Sequence, residues 1–156
     1  AFTYMKMGKL KEALKDINAY DEKTEHNNAL VYLYRGWIHQ QLGNTMNAEG
    51  DLKRAIEADS VGTPSAATFI SQHLLKLDKQ AMDNLTKCLQ EDPKAIDYYY
   101  AACFYALKGD KPMAMRQIEL AVEKGYNSWS TLRDFPFLKS MHGYKPYDDF
   151  IAARIK

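Results

Sequence analysis

One alanine recurs along this chain at a spacing that points to a repeated structural unit. Ala13, Ala48, Ala81 and Ala114 are separated by 35, 33 and 33 residues. Four positions after each stands a large aliphatic residue: Ile17, Leu52, Leu85 and Ile118. Seven positions after each come Tyr20, Ala55, Cys88 and Ala121, small in three of the four copies. Five positions before three of the alanines stands a glycine: Gly8, Gly43 and Gly109. Self-similarity at a period of 20–50 residues is the mark of a repeat architecture. Spacings of four and seven put the three columns on one stripe of a helix. Small residues at the ends of the stripe let a second helix approach closely, and the aliphatic between them fills the gap. The glycine closes the preceding helix, because it enters the left-handed conformation of a helix C-cap without steric cost. Each unit therefore reads as a helix, a tight glycine turn and a second helix packed back on the first.

The first helices show their own pattern. "YLYRGWIH" puts Tyr32, Gly36 and His39 on one side, and "YYYAACFY" puts Tyr98, Ala102 and Tyr105 in the matching places. These residues resemble the tetratricopeptide (TPR) signature, W-x2-L-G-x2-Y, then A-x3-F, then P. The second copy supplies Tyr32, Arg35, Gly36 and His39 with Ala48 and Leu52. The fourth supplies Tyr98, Ala101, Ala102 and Tyr105 with Ala114 and Ile118. Pro93 matches the closing proline, which Ser60 replaces in the second copy. The third copy departs most, with Phe69 in a small-residue column and Lys76 in the glycine column. The first copy matches only the second half of a first helix, through Ala1 and Tyr4, so helical material is expected before residue 1. A chain that begins "AFTYMKMG", without Met, fits a processed or excised fragment.

The segment "GYNSWSTLRDFPFLKSMHGYKPYDDF" is too irregular for another repeat. Trp129, Leu132, Asp134, Pro136 and Leu138 resemble a capping segment that often follows the last TPR unit in bacterial proteins, with Phe135 as an insertion. A terminal repeat leaves an apolar face that something must cover, and Trp129, Leu132, Phe135, Phe137, Leu138, Met141 and Phe150 are the expected cover. The expected fold is thus all-α: a TPR-like right-handed superhelical array of antiparallel helix pairs over residues 1–125 (repeats about 1–26, 27–60, 61–93 and 94–125), closed by a helical cap over 126–156.

Function follows at the level of a class. The 21 Lys and Arg nearly balance 20 Asp and Glu, for a net charge of +1, so no basic surplus points to nucleic acid. At 46% hydrophobic residues the chain is a folding sequence. No apolar run reaches the length of a membrane span, and no signal peptide is visible. The expected setting is a soluble protein of a bacterial cytoplasm or periplasm. G-x-S-x-G, P-loop and G-x-G-x-x-G motifs are missing. The acidic pairs Glu91–Asp92 and Asp148–Asp149 read as surface acids. His26, His39, His73 and His142 have no metal-ligand spacing, and His39 replaces the repeat's core tyrosine. Cys88 and Cys103 fall in small-residue columns and read as buried thiols. The sequon Asn84-Leu85-Thr86 lies mid-helix. No enzyme chemistry, cofactor or metal is expected.

The family resemblance implies a concave groove lined by first helices. On it would lie Phe2 and Met5; Leu33, Tyr34, Trp37 and Gln41; Ile70 and His73; and Tyr99, Tyr100 and Cys103. Among these, Phe2, Tyr34, Trp37, Gln41, Ile70, His73, Tyr99 and Tyr100 are the candidate partner-binding residues, suited to a peptide anchored by large side chains. Helix-to-helix packing is the competing reading for each. Only one tyrosine of the run 98–100 can face inward as the repeat's tyrosine, which the pattern assigns to Tyr98. The Lys, Asn and Arg clamp by which some TPR domains hold a C-terminal carboxylate is missing. The expected function is a protein–protein interaction scaffold or adaptor, part of a larger protein, that binds a protein or peptide. The alternative is an oligomerisation or spacer element whose groove is filled by its own chain and which self-associates.

Overall fold

A computed structural model describes residues 5, 8–23, 28–59 and 65–155, and these are predominantly helical, with no strand among them. Contacts divide the chain into two compact units, Ala1–Cys88 and Leu89–Lys156. The first holds α1 (Leu10–Lys23), α2 (Ala29–Gln41), α3 (Thr45–Ala58), α4 (Ala66–Leu74) and α5 (Asp78–Cys88). The second holds α6 (Ala95–Lys108), α7 (Lys111–Glu123), α8 (Trp129–Asp134), a 3-10 helix (Pro136–Met141) and α9 (Lys145–Arg154). The last helix pair and the tail fall in the same compact unit.

The pairs α2–α3, α4–α5 and α6–α7 pack as hairpins. Their turns are copies of one another. The N–H of Asn44 bonds to the carbonyl of His39, Leu77 to Gln72 and Asp110 to Tyr105; one residue earlier, Gly43 bonds to Gln40, Lys76 to His73 and Gly109 to Ala106. A bond reaching back five residues at a left-handed position is the Schellman way of satisfying the last carbonyls of a helix. All three turn residues have positive φ: 81° at Gly43, 65° at Lys76 and 88° at Gly109. Lys76, the departure from the glycine column, adopts the glycine conformation all the same. The hairpin imposes the backbone, and the side chain accepts the strain. Side chains start several of the next helices: Asn28 Oδ1 accepts from the N–H of Leu30 and Val31, Ser65 Oγ from Ala67, and Asp110 Oδ1 from Met113. Asp59 joins α3 to α4 by accepting from the Ser65 N–H at 2.7 Å and the Thr68 hydroxyl at 2.6 Å.

The three-column stripe is interior almost throughout. Ala13, Ile17, Ala48, Leu52, Ala55, Ala81, Leu85, Ala114, Ile118 and Ala121 are buried, Cys88 is half-buried, and Tyr20 is 50% exposed. Each aliphatic so placed contributes about 1.5–3 kcal/mol. The small column on α2 has a measurable reason: a Cβ on Gly36 would stand 2.8 Å from Cγ and Cδ2 of Leu52. In the second unit the tail covers the last hairpin as expected. Leu132, Phe135, Phe137, Leu138 and Met141 are buried, while Trp129 and Phe150 are half-buried. Ser140 Oγ donates to the Ala106 carbonyl at 2.8 Å and fastens the 3-10 helix to α6. Tyr147, unforeseen as part of this cover, is fully buried and donates its hydroxyl proton to the Leu132 carbonyl at 2.6 Å.

Replacing Lys76 by Gly removes a left-handed penalty of about 1–2 kcal/mol for an L-residue and adds about 0.5–1 kcal/mol of unfolded-chain entropy. Lys76→Gly is therefore expected to stabilise the chain by about 0.5–1 kcal/mol, read as a higher urea midpoint at unchanged slope.

Candidate functional site

The candidate partner-binding residues fall into different environments. Phe2 lies outside the described residues. On α2, Tyr34 and Trp37 are buried, whereas Gln41 is exposed. On α4, Ile70 is completely buried and His73 is half-buried, with Nδ1 at 3.1 Å from Asp78 Oδ1. All five lie on α2 and α4, two helices of the first unit that pack together, with Gln41 exposed and His73 half-buried. In the second unit the buried tyrosine of the run is Tyr99, with Tyr98 and Tyr100 half-buried, so the inward position passes from Tyr98 to its neighbour. The tail is the reason. Tyr126 stacks on Tyr99 at 4.9 Å between ring centroids, and Phe135 leans on it at 5.8 Å. Cys103 is buried one turn further along α6, where burial raises its thiol well above the ordinary range and keeps it protonated.

The most elaborate polar geometry lies on another face of α2. Arg35 and His39, one turn apart, point away from Trp37 and Gln41. The Arg35 guanidinium forks onto Asp51 of α3, Nε to Oδ2 at 2.9 Å and Nη2 to Oδ1 at 3.0 Å. Its Nη1 donates to Asp21 Oδ2 at 2.8 Å and Asn18 Oδ1 at 3.1 Å, both on α1. Asp21 and Asp51 are buried and Arg35 nearly so. One cation thus ties three helices through paired, charge-assisted bonds. Burial by itself would lower the Arg35 pKa, but the bonds to Asp51 and Asp21 outweigh it and raise the guanidinium further. His39 is buried beside this group. Asn44 Nδ2 approaches its Nδ1 at 3.1 Å, and its Nε2 is 3.8 Å from Asp51 Oδ2. Burial lowers its pKa below the ordinary 6.5; the Asp51 charge opposes the shift and the Arg35 charge adds to it.

The sequence pattern placed His39 at the core-tyrosine position, but it did not reveal the ion group. The available signal was Arg35 itself, a charge in a column occupied elsewhere by Thr68 and Ala101. Among the described residues, no group of three His, Cys, Asp or Glu side chains could hold a metal ion, and no helix is long and apolar enough to cross a membrane.

No family model matches the chain, and no solved structure matches it. It is similar to the thiamine-phosphate synthase of Rhodopirellula baltica, with 23% identity over 142 residues, covering 91% of this chain and 36% of that protein. The chain therefore spans about a third of the length of the curated relative it matches.

Removing one partner of a buried ion group leaves the others charged and uncompensated, at a cost of about 3–5 kcal/mol. Arg35→Ala is expected to lose that much in urea unfolding, and Arg35→Lys, which keeps the charge but not the fork, to lose less. The histidine sets a pH dependence. Its folded-state pKa is depressed, so the unfolded chain binds the proton first as pH falls. The stability held by neutral His39 is full above about pH 6.5 and is lost as pH drops below it. His39→Gln is expected to flatten this limb between pH 7.5 and 5 in thermal melts; an unchanged limb would place the titration elsewhere.

Proposed function

We propose that this chain is a protein-interaction module of the TPR kind, carried within a larger protein and holding a peptide or partner domain on the α2–α4 region. The observation that supports this most is the identity of the three hairpin turns, with left-handed residues at 43, 76 and 109 and the same hydrogen bonds at each. Repeated hairpins of this kind are extended scaffolds whose first helices present a recognition surface, and such surfaces bind by shape and a few anchors. On this reading Gln41 and His73 are the outer contacts, and Tyr34, Trp37 and Ile70 form the packed base beneath them. Correspondence with part of a longer protein in Rhodopirellula baltica is in keeping with a module joined to other domains. Enzyme activity is not part of the proposal.

The burial of Tyr34, Trp37 and Ile70 favours one alternative, an assembly element whose groove is filled by its own chain. A photo-crosslinking side chain at Gln41 separates the two. Irradiated in an extract of the source organism, it is expected to form an adduct with a second protein. An adduct between two copies of this chain would favour self-assembly, and no adduct at all would sink the recognition surface on α2.

A further inference from the structure

An opening in the first unit lies on the Arg35 face of α2, where α1 and α3 flank a cleft of about 690 Å3 floored by Arg35 and His39. Openings of this size hold small ligands and short peptides. The chain's own repeats show what is peculiar to it. Two positions after the recurrent alanine, the other copies carry Lys15, Asp83 and Arg116, and this copy carries Gly50. Gly50 sits in the middle of α3, where glycine costs about 1 kcal/mol relative to alanine. Packing explains Gly36, whose Cβ would strike Leu52. It does not explain Gly50, because a Cβ there would meet nothing within 4 Å. The floor departs in the same copy: Arg35 replaces Thr68 and Ala101, and His39 replaces Gln72 and Tyr105. Three departures from the chain's own pattern converge on one cleft, and local rules are characteristically broken where a site is built.

The chemistry of the walls selects the occupant. The floor is electrically balanced, with Arg35 and Arg54 against Asp21 and Asp51. Around it stand the carboxamides of Asn18, Asn44 and Asn47. Asn18 already accepts from Arg35 through Oδ1 and Asn44 Nδ2 is bonded to His39, which leaves the Asn18 amino group and the Asn47 carboxamide to face the cleft. A carboxamide offers a donor and an acceptor side by side, the pattern of a peptide bond. Leu14 and Met46 are the apolar lining, Met46 being 87% exposed. Arg54 has a side chain 63% exposed and pairs with Asp51 at 3.5 Å; because the Arg35 fork already holds Asp51, turning Arg54 toward a carboxylate leaves no charge unpaired. We infer that the cleft between α1 and α3 binds a short extended peptide with one apolar and one acidic side chain: main-chain amides on Asn18 and Asn47, the apolar group against Leu14 and Met46, and the carboxylate on Arg54. This site is separate from the α2–α4 region and stands or falls independently of it.

The test is an amide-resolved NMR titration of the whole chain with acetyl-Leu-Ala-Asp-Ala-amide, and in parallel with maltotriose as a neutral polyhydroxyl probe. The peptide is expected to shift the amides of Asn18, Asn47, Gly50 and Arg54. Gly50→Leu fills the cleft from a half-buried mid-helix position where a Cβ meets nothing within 4 Å, and is expected to stay folded by circular dichroism while weakening binding about tenfold or more. Arg54→Ala, or Asn for Asp in the peptide, is expected to weaken it about tenfold, the size of one charge-assisted contact. No shift at these amides at millimolar peptide would overturn the proposal, as would a folded Gly50→Leu chain that binds like the wild type. Shifts with maltotriose and not with the peptide would overturn the peptide assignment.

Discussion

The close approach of two helices within each hairpin is the constraint on which the rest depends. At Gly36 there is no room for a methyl group beside Leu52, and the same columns hold Ala102 and Ile118 in the last hairpin, both fully buried. Helices drawn this near leave no slack for a loose connection. The turn between them must reverse the chain in two or three residues, and the left-handed step at 43, 76 and 109 is how it does so. Columns and turns are therefore one requirement expressed twice. This explains why Lys76 holds a backbone conformation that its own chemistry disfavours: the packing on either side of the turn outweighs a strain of about 1–2 kcal/mol. The α4–α5 hairpin forms the same turn with Phe69, itself buried, in the small column and with the shortest of the three first helices, nine residues long.

Most of the helical framework was legible because it is periodic. A period of 33 residues fixes where helices start and stop, and glycines mark the turns. The tail was legible for another reason: its dense aromatics have to be covered, and Phe135, Phe137 and Tyr147 are buried while the other four are half-buried. The misreadings share a cause, since they concern which residue of a crowded neighbourhood faces inward. Tyr98 matches the signature, yet Tyr99 is the buried member because Tyr126 and Phe135 come back to cover it. Tyr147 is buried on similar grounds, through a carbonyl 15 residues earlier. Partners this far apart along the chain leave no periodic trace, and a repeat pattern says nothing about what a non-repeating tail will cover.

The ion group shows the same limit from the polar side. Arg35 reads as one more surface charge until α1 and α3 are folded against α2, when it becomes a buried fork with two aspartates. Such a group is a weak source of stability, because desolvation cancels much of its attraction, and apolar residues of similar size often serve as well. Thr68 and Ala101 occupy its column in the other hairpins, which form the same turns without it. The ion group is therefore not a requirement of the hairpin. What it does provide is geometry: a fork, two carboxylates and a neighbouring imidazole held at fixed distances beneath an opening that Gly50 keeps clear. A bound peptide, as proposed, would account for a helix that spends about 1 kcal/mol on an unpacked glycine in the same cleft as charges its sister hairpins do without.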